Sequence, residues 1–562
     1  MAFDRVYEVV SAHSLSGVRQ ALDAAEEATR EGRWAVGFVS YDAAPAFDSV
    51  LAAHPLDGFP LAWFAICEPP AEVTTVELPP AANFEVGSLR PSLTAVEHAS
   101  GVRRIQDWIA RGDTYQVNFT HRLEGKIAGD PWGLFLELWR NQPSSCAAWI
   151  DTGTHALCSA SPELFFSLEE SLLVSRPMKG TIARGRTTAE DRQRSGQLAT
   201  SAKDRAENVM IVDMIRNDLA RVARPGTVRT TSLFDVERYP SVFQLTSTVE
   251  ARTEAGVGEI FAALFPCASI TGAPKVRTME LIRELEPTAR SIYTGAIGWL
   301  APDRRARFNV AIRTAAVDRA SGRLTYGTGG GILWDSDPQA EHDECLDKAK
   351  ILTAPRPSFS LLETLLWRPD EGYRLLRRHL DRLLDSADYF SIPVDRTEIE
   401  HQLGQAGADW LEPQRVRLLV DHNGRARLSS HSFTPVTEPR RLALAGRAVD
   451  SADPFLYHKT THRAVYERAL LERSQFDDVV LWNERGELTE TTIANLVLEV
   501  GGERFTPPLS SGLLAGTLRA DLLARGEIRE RVLHKPDLTA CSAVHLINSV
   551  QGWMRAELDE PE

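Results

Sequence analysis

The sequence is poor in cysteine and has no long apolar run, and each deficit excludes a class of protein. Six cysteines are scattered over 562 residues without a CxxC pair: Cys67, Cys146, Cys158, Cys267, Cys345 and Cys541. This spacing suggests neither a zinc site nor a disulfide framework, so we expect reduced cysteines in the core. No stretch approaches the roughly 18 apolar residues of a membrane span, and the amino terminus, MAFDRVYEVV, lacks the apolar run of a signal peptide. We therefore expect a cytoplasmic protein without a membrane partner.

A block of basic residues is also missing. The formal net charge is −14, whereas nucleic acids are bound by basic faces, so we expect no nucleic-acid partner. A small anionic substrate is compatible with this charge, because a few local cations and backbone N–H groups suffice to hold it. The apolar content of 43% and the charged content of 25% are ordinary for a globular protein.

The chain is longer than one hydrophobic core usually supports, so we expect a multidomain α+β, mixed α/β protein. Residues 1–95 form a predicted amino-terminal region that ends in a connector around Pro69, Pro79 and Pro80. Residues 96–353 form a second predicted region. Two prolines within residues 354–358 cannot continue the preceding helical pattern, which predicts a linker there. Residues 359–562 form the last predicted domain.

Hydrophobic periodicity predicts several helices and strands. The predicted helices cover residues 18–29, 206–222 and 260–264, and the predicted strands cover residues 34–40, 61–67 and 307–317.

The segment PMKGT, residues 177–181, places Lys179 on a predicted tight turn. Acidic groups flank it in sequence, in SPELFF at residues 161–166 and in KDRAEN at residues 203–208. A lysine that is partly desolvated and close to carboxylates can act as a nucleophile or a base. Taken alone, a lysine is more often a solvated surface cation.

Two predicted helices offer two pairs of carboxylates. Residues three or four apart share a helix face, which groups Asp204 with Glu207, and Glu341 with Glu344 and Lys348. If the pairs face one another, they form an oxygen site suited to Mg²⁺. The alternative is that both are solvated helix faces.

A glycine-rich segment, YGTGGGI at residues 326–332, is predicted to turn and to present backbone N–H groups to a carboxylate. Arg313, in a strand-like run, adds a planar fork suited to the same kind of ligand. Either feature alone is weak.

Seven motifs together resemble the chorismate-utilising enzyme family in the family's own order. They are SPELFF (161–166), PMKGT (177–181), KDRAENVMIVDMIRNDLARV (203–222), SITGAPKVRTME (269–280), YTGAIGW (293–299), NVAIRT (309–314) and GGGILWDSDPQAEHDECLDKA (329–349). The resemblance implies that family's fold, a β-sandwich-like core with helices, over residues 96–353.

Two positions separate the reactions of that family. Members that add water carry lysine where this chain has Gln116, and anthranilate-forming members carry alanine where it has Lys179. Gln116 together with Lys179 resembles the members that form 4-amino-4-deoxychorismate from chorismate and ammonia. Gln244 departs from the histidine of many relatives.

The resemblance implies a role for each matched residue. Lys179 is the nucleophile and Glu163 the general acid, while Mg²⁺ binds the carboxylates of Asp204, Glu207, Glu341 and Glu344. The implied substrate contacts are Gln116, Thr271, Tyr293, Arg313, Gly329, Gly330, Gly331 and Lys348.

The carboxyl-terminal region carries a second set of motifs. They are RHLDRL (378–383), YHKTTHR (457–463), LTETTIANL (488–496), GLLAGTLR (512–519) and INSV (547–550). A pyridoxal phosphate site needs a lysine, an acid beside the pyridine nitrogen and an anion cradle, which a Gly-Thr turn opening a helix can supply.

In order, these motifs resemble the fold-type IV pyridoxal phosphate family over residues 359–562. The resemblance implies that Lys459 carries the cofactor and that Glu490 partners its pyridine nitrogen. The implied phosphate contacts are Arg382, Thr517, Asn548 and Ser549. The domain lacks the family's opening strand, and the resemblance allows a homodimer through it.

The two resemblances imply a bifunctional enzyme that makes 4-aminobenzoate for folate synthesis. Chorismate and ammonia would give 4-amino-4-deoxychorismate, and elimination of pyruvate would leave 4-aminobenzoate. No Cys/His glutamine-hydrolysing module is visible, so a separate glutamine amidotransferase subunit is the expected ammonia source. Two alternatives stay open: an anthranilate-type synthase fused to a class IV aminotransferase, and a catalytically silent protein that binds chorismate or tryptophan.

Overall fold

The computed structural model describes residues 1–72, 83–353 and 357–558. The described residues of Met1–Ala183 and Ser195–Arg356 form one compact unit, and those of Arg184–Arg194 and Pro357–Glu562 form another. Within these ranges, every helix is too short or too polar to cross a bilayer. Pro79 and Pro80 of the predicted connector, and residues 354–356 of the predicted linker, lie outside the described residues.

The elements up to residue 352 are numbered β1 to β18 and α1 to α8 in chain order. The strands are Val6–Ala12, Trp34–Val39, Ala62–Cys67, Phe84–Val86, Arg90–Pro91, Gln116–Gly129, Ala148–Asp151, His155–Ser159, Leu164–Glu169, Leu172–Arg176, Met178–Ala183, Arg229–Arg238, Val242–Arg252, Gly272–Ala273, Ala296–Ala301, Arg305–Val310, Thr314–Asp318 and Arg323–Ile332. The helices are Leu15–Arg30, Ala95–Ala110, Pro131–Asn141, Thr188–Thr200, Ala202–Ala220, Val257–Leu264, Lys275–Leu285 and Pro338–Ala349.

Two antiparallel sheets build the first unit. One has the strand order β1-β3-β2-β15-β16-β9-β10-β13-β11, with β12 also on β13, and the other has the order β14-β6-β18-β17-β8-β7, with β4 and β5 on β6. Residues 1–95 supply β1, β2 and β3 to the same sheet as β9 and β15, so this range shares a sheet with the region that follows it. One apolar core joins Val18, Phe64, Phe166 and Phe308.

Helix α1 shows how the sequence produces this packing. Val18, Ala21, Leu22 and Ala25 recur at helical spacing and are buried, which places one apolar stripe on the core. The predicted helix over residues 18–29 is confirmed within Leu15–Arg30.

The predicted strand over residues 307–317 is wrong in one respect, because the chain changes sheet in its middle. Arg305–Val310 pairs with β9 and β15, whereas Thr314–Asp318 pairs with β8 and β18. The bend between them places Arg313 at φ 51°, in the left-handed region. A β-rich, alternating sequence does not reveal such a crossing, because both halves have the period of a strand.

The second unit contains β19 to β30 and α9 to α13. The strands are Leu361–Arg368, Gly372–Tyr373, Gln414–Val420, Ala426–Ser432, Arg440–Leu444, Asp478–Trp482, Leu488–Thr491, Asn495–Val500, Glu503–Thr506, Arg529–Glu530, Ala543–Asn548 and Gly552–Leu558. The helices are Leu376–Phe390, Arg396–Gly407, Ala464–Leu471, Thr517–Ala524 and Lys535–Ala540. A four-stranded sheet has the order β20-β19-β21-β22, and an eight-stranded sheet has the order β25-β24-β23-β30-β29-β26-β27-β28.

The segment Arg184–Arg194 belongs to this second unit although it precedes it in sequence. Arg184 Nη2 donates to the Tyr389 carbonyl at 2.7 Å, and the Tyr389 hydroxyl donates to the Gly185 carbonyl at 2.7 Å. Asp191 accepts from the Gly185 amide at 2.7 Å. Sequence spacing alone could not predict this arrangement.

Candidate active sites

A cavity of about 320 Å³ lies in the first unit, where β11, β18, α5 and α8 meet. Most of the residues that the sequence predicts for chorismate chemistry line it: Glu163, Lys179, Asp204, Glu207, Tyr293, Arg313, Gly329, Gly330, Gly331, Glu341, Glu344 and Lys348. The volume suits a small organic substrate. Residues far apart in sequence therefore form one site.

Lys179 lies on β11 rather than on the predicted tight turn. The pairing of β11 with β13 is irregular between Met178 and Thr181, and Gly180 takes φ 96°. Burial lowers the pKa of Lys179, and Lys348 adds to the effect, while Glu207 and Glu163 oppose it. This β-bulge directs the side-chain amine of Lys179 into the cavity.

Glu163 follows a short loop before β9 and is 3% exposed. Burial raises its pKa to about 7, although the Ser269 hydroxyl, which donates to Oε1 at 2.7 Å, and Lys179 favour the anion. A carboxyl in this state can be protonated near neutral pH, as a general acid requires.

The four predicted metal ligands all lie on the cavity, two on α5 and two on α8. Burial raises the pKa of Glu207 and of Glu341, because nearby lysines only partly offset the loss of hydration of the two carboxylates. Glu344 pairs with Lys348 at 2.7 Å. The donor set consists of carboxylate oxygens and therefore fits Mg²⁺.

The glycine-rich segment is a strand rather than the predicted turn. Gly329, Gly330 and Gly331 in β18 pair with Thr120, Phe119 and Asn118 of β6. On its other side β18 pairs with β17 only as far as Tyr326, so its edge opens onto the cavity beyond that residue. Glycine permits this close approach, since a Cβ at Gly331 would lie 2.6 Å from Lys179 Nζ.

Hydrogen bonds to backbone carbonyls hold the side chains of Arg313 and Lys348 beside this edge of β18. Lys348 Nζ donates to the Gly329 carbonyl at 2.8 Å, and Arg313 Nη1 donates to the Lys348 carbonyl at 2.9 Å. Tyr293 packs against the same strand, because a Cβ at Gly327 would overlap its ring. Two cationic side chains therefore line one side of the cavity.

Three further positions, Gln116, Gln244 and Thr271, differ in how close their side chains lie to the cavity. Gln116 is 1% exposed, and its amide approaches Gly331 beside Lys179. Gln244 lines the cavity and accepts a hydrogen bond from the Thr181 hydroxyl at 3.1 Å. Thr271 does not reach the cavity: its hydroxyl donates to the Cys267 and Ala268 carbonyls, both at 3.2 Å.

In the second unit, Lys459 and Glu490 are buried near one another. Burial, with the nearby charge of Arg382, lowers the pKa of Lys459 to about 8. Burial raises the pKa of Glu490 to about 7. Glu490 accepts from the Tyr466 hydroxyl at 2.8 Å and from Asn495 Nδ2 at 3.1 Å.

A buried network joins the predicted phosphate contacts Arg382 and Thr517. Arg382 donates to both oxygens of Glu363, at 2.9 and 2.6 Å, and the Thr517 hydroxyl lies 3.2 Å from His379 Nε2. His379 Nδ1 lies 2.6 Å from the same Glu363. Despite burial, Arg382 and His379 hold the pKa of Glu363 at about 2.

Helix α12 begins beside this network. Its N-cap, Gly516, has no side chain to satisfy the free amides of the first turn, and a Cβ there would overlap Asn495 Oδ1. These amides form an anion cradle, which together with Lys459 and Glu490 fits pyridoxal phosphate. Ser549 is 7% exposed, and Asn548 accepts from the Val550 and Gln551 amides. The phosphate contacts of both stay predictions.

Sequence reasoning missed the residues that hold the predicted ones in place. Ser269, Glu363, His379, Tyr466 and Asn495 each bond to a predicted site residue. Ser269, His379 and Asn495 lie inside the motifs named above, so membership in a motif was the available signal. Tyr466 lies outside them, and only the fold brings it to Glu490.

The fold and the first site define a chorismate binding enzyme. The family model of that description matches residues 4–354, more than half of the chain, so the chain belongs to this family. A second family model, amino-transferase class IV, matches residues 360–557. Both family resemblances seen in the sequence are thereby confirmed.

Two curated proteins are similar to about half of this chain. Aminodeoxychorismate synthase component 1 of Salmonella typhimurium is 40% identical over 286 residues, which cover 50% of this chain and 63% of that protein. Anthranilate synthase component 1 of Cereibacter sphaeroides is 36% identical over 270 residues, covering 48% and 54%. The chain thus spans less than two thirds of the length of these relatives.

A solved structure supports the fold of the first unit. Anthranilate synthase component I from Streptococcus pneumoniae TIGR4 superposes with a TM-score of 0.54 at 24% identity, covering 63% of this chain and 92% of that one. Together with the two family matches, this structural similarity confirms the mixed α/β, multidomain fold class that was predicted from the sequence.

Proposed function

We propose that the first unit converts chorismate and ammonia into 4-amino-4-deoxychorismate and that the second eliminates pyruvate from this product to leave 4-aminobenzoate. The observation that carries the proposal is Lys179, whose amine enters a cavity that Glu163 and four carboxylates also line. Folate synthesis is the expected use of the product.

The first reaction proceeds in two displacements. The neutral amine of Lys179 bonds to a ring carbon while the C4–O bond breaks, and Glu163 gives its proton to the departing hydroxyl, which leaves as water. Ammonia then bonds to C4 and displaces the lysine. Burial supports both roles, since it lowers the pKa of Lys179 and raises that of Glu163.

Mg²⁺ would be held by Asp204, Glu207, Glu341 and Glu344, and when bound it supplies positive charge for a substrate carboxylate. Arg313 and Lys348 would bind a carboxylate from the opened edge of β18. Gln116 places an amide beside Lys179, where it can orient ammonia by hydrogen bonding.

In the second unit, Lys459 would carry pyridoxal phosphate, whose bound form withdraws electrons from the substrate carbon next to its amine. Lys459, with a pKa of about 8, can then accept and return a proton near neutral pH. Glu490 would hold a proton at the pyridine nitrogen, and the amides at the start of α12 would hold the phosphate.

The main rival is an anthranilate-type first reaction. Lys179 argues against it, because anthranilate-forming members carry alanine at the position of Lys179. The intact Lys179, Glu207, Glu344, Lys459 and Glu490 likewise argue against a silent binding protein.

Product analysis tests the proposal. Purified protein is mixed with chorismate, an ammonium salt, Mg²⁺ and pyridoxal phosphate, and the aromatic products are separated. We expect 4-aminobenzoate and pyruvate in equal amounts; anthranilate would instead establish the rival first reaction.

The variant Lys179→Ala should stop 4-amino-4-deoxychorismate formation while leaving conversion of supplied 4-amino-4-deoxychorismate intact. Lys350→Ala is the matched control, because its side chain is 70% exposed and pairs with Asp347. If Lys179→Ala formed 4-amino-4-deoxychorismate at the wild-type rate, the nucleophile would have to be another group.

Ammonia would come from a glutamine amidotransferase subunit, as the similarity to a component 1 protein suggests. A pull-down with such a subunit, followed by a glutamine-dependent assay, checks this partner.

A further inference from the structure

Four side chains from three elements meet at a buried face of α8, next to the face that lines the cavity. They are His98 on α2, His121 on β6, and His342 and Cys345 on α8. The candidate ligand atoms of His98, His121 and Cys345 all lie within 4.8 Å of one another. The His342 ring centroid is 5.5 Å from that of His98 and 6.4 Å from that of His121.

The cluster is buried, and most of its ring nitrogens lack a hydrogen-bond partner within the described residues. His98, His121 and Cys345 are each 1% exposed, and His342 is 9% exposed. His98 Nδ1, both ring nitrogens of His121 and His342 Nδ1 make no hydrogen bond. Buried polar atoms are normally satisfied, so this concentration of unmade bonds points to a ligand.

The chemistry of the cluster indicates which ligand. A neutral imidazole ring offers one nitrogen lone pair to a metal ion. Cys345 Sγ lies 4.0 Å from His98 Nε2. Imidazole nitrogen and cysteine sulfur are ligands of Zn²⁺, whereas the carboxylates on the cavity face of α8 suit Mg²⁺.

We propose that His98, His121 and Cys345 bind a structural Zn²⁺ ion, with His342 as the fourth ligand. On binding, the Cys345 thiol loses its proton to solvent, and one nitrogen of each ring donates its lone pair. Tetrahedral zinc with the usual bond lengths separates its ligand atoms by roughly 3.3–3.7 Å. Side-chain movements of about 1 Å would bring the ligand atoms of His98, His121 and Cys345, now within 4.8 Å of one another, into that range. His342 lies outside this group and would have to move further to become the fourth ligand.

The ion would join α2, β6 and α8 at one point. Glu341, Glu344 and Lys348 line the cavity, and His342 and Cys345 lie on the neighbouring, buried face of α8. Zinc would therefore fix the helix that presents two of the Mg²⁺ ligands, without touching the substrate.

X-ray absorption at the zinc edge, with metal analysis, tests the site on the full chain in excess Mg²⁺. We expect one zinc per chain after dialysis, with one sulfur and two or three imidazoles in its coordination shell. Cys345→Ser should lose the sulfur signal and bind zinc at least about tenfold more weakly, and His121→Gln should lose one imidazole. Cys158→Ser is the matched control, a buried cysteine whose thiol donates to the Pro131 carbonyl.

Two results would overturn the proposal: no retained zinc in the wild type, or a shell of oxygens alone, which would place the ion at the carboxylates. A sulfur signal lost in Cys158→Ser would also overturn it. Circular dichroism reports whether the variants fold. If both cluster variants fail to fold, the wild-type and Cys158→Ser shells still decide, because among the described residues the proposed ligands are the group that combines one sulfur with several imidazoles.

Discussion

At the scale of single residues, Glu163 is the group whose protonation should limit the first reaction. Its pKa of about 7 exceeds the ordinary value because of burial, and a general acid works only while protonated. We therefore expect kcat/KM for chorismate to fall as the pH rises through about 7, measured at a constant concentration of free ammonia. Since Lys179 titrates beside it, the apparent value belongs to the pair.

Glu163→Gln should remove this pH dependence and slow the first reaction by about 10²–10⁴-fold, because the amide cannot donate a proton in the same way. Glu169→Gln, at the exposed end of β9, the strand that begins directly after Glu163, should behave like the wild type. An unchanged pH profile in Glu163→Gln would show that another group supplies the proton.

Gly331 tests the close approach of backbone and amine. In Gly331→Ala the new Cβ would lie 2.6 Å from Lys179 Nζ, so the amine must move from its position. We expect loss of the first reaction with little change in thermal stability, measured by product formation and by the unfolding midpoint. Gly196→Ala, where a Cβ meets nothing within 4 Å, is the control. A fully active Gly331→Ala would mean that Lys179 acts from elsewhere.

At the scale of elements, helices α5 and α8 were predicted as carriers of two carboxylate pairs, and the structure brings both pairs to one cavity. Helical spacing could predict which residues share a face, because it follows from 3.6 residues per turn. It could not predict that the neighbouring face of α8 meets His98 and His121, since those contacts join residues over 220 positions apart.

Glu207→Gln and Glu344→Gln should raise the Mg²⁺ concentration needed for half-maximal first activity by about tenfold or more, because each removes a charged oxygen ligand. The second reaction should not change. Asp347→Asn is the control on α8, where Asp347 is 65% exposed and pairs with Lys350. Identical Mg²⁺ titrations for all variants would favour the solvated-face interpretation.

Strands show the same limit, because local sequence predicts part of the structure and pairing with distant segments decides the rest. The glycine-rich segment resembles a turn because glycine is common in turns, yet each of its seven residues pairs with β6, which makes it part of a strand. Tertiary pairing overrides local preference here. The strand over residues 307–317 likewise breaks at Arg313, where the chain leaves one sheet for the other.

At the scale of the whole molecule, the two sites should work independently. Lys459→Ala should stop 4-aminobenzoate formation while the first unit still consumes chorismate, so 4-amino-4-deoxychorismate should accumulate when ammonia is supplied. Lys535 is the other lysine within residues 357–562, which makes Lys535→Ala the matched control.

Borohydride reduction gives a readout that does not depend on activity. It should attach pyridoxal phosphate covalently to the wild type and to Lys535→Ala, at a peptide that contains Lys459, but not to Lys459→Ala. Continued 4-aminobenzoate formation by Lys459→Ala, with no other lyase present, would refute the two-site proposal.

The order of motifs along the chain was enough to predict the two families, because each family keeps its reactive residues in a fixed order. The compact units were harder to predict. Residues 1–95 share a sheet with strands as distant as β15, and Arg184–Arg194 packs within the second unit. Neither follows from composition or periodicity, since both depend on contacts between distant segments.

Helix α8 leaves little of its surface free to vary. Glu341, Glu344 and Lys348 line the cavity, while His342 and Cys345 are buried on the neighbouring face of the helix. The residues of α8 that are exposed and outside both groups are Gln339, Ala340, Asp343, Leu346 and Asp347. In a library that randomises this helix and selects for growth without 4-aminobenzoate, accepted substitutions should concentrate at those five positions, so that the twelve residues of the helix tolerate far less variation than its length suggests.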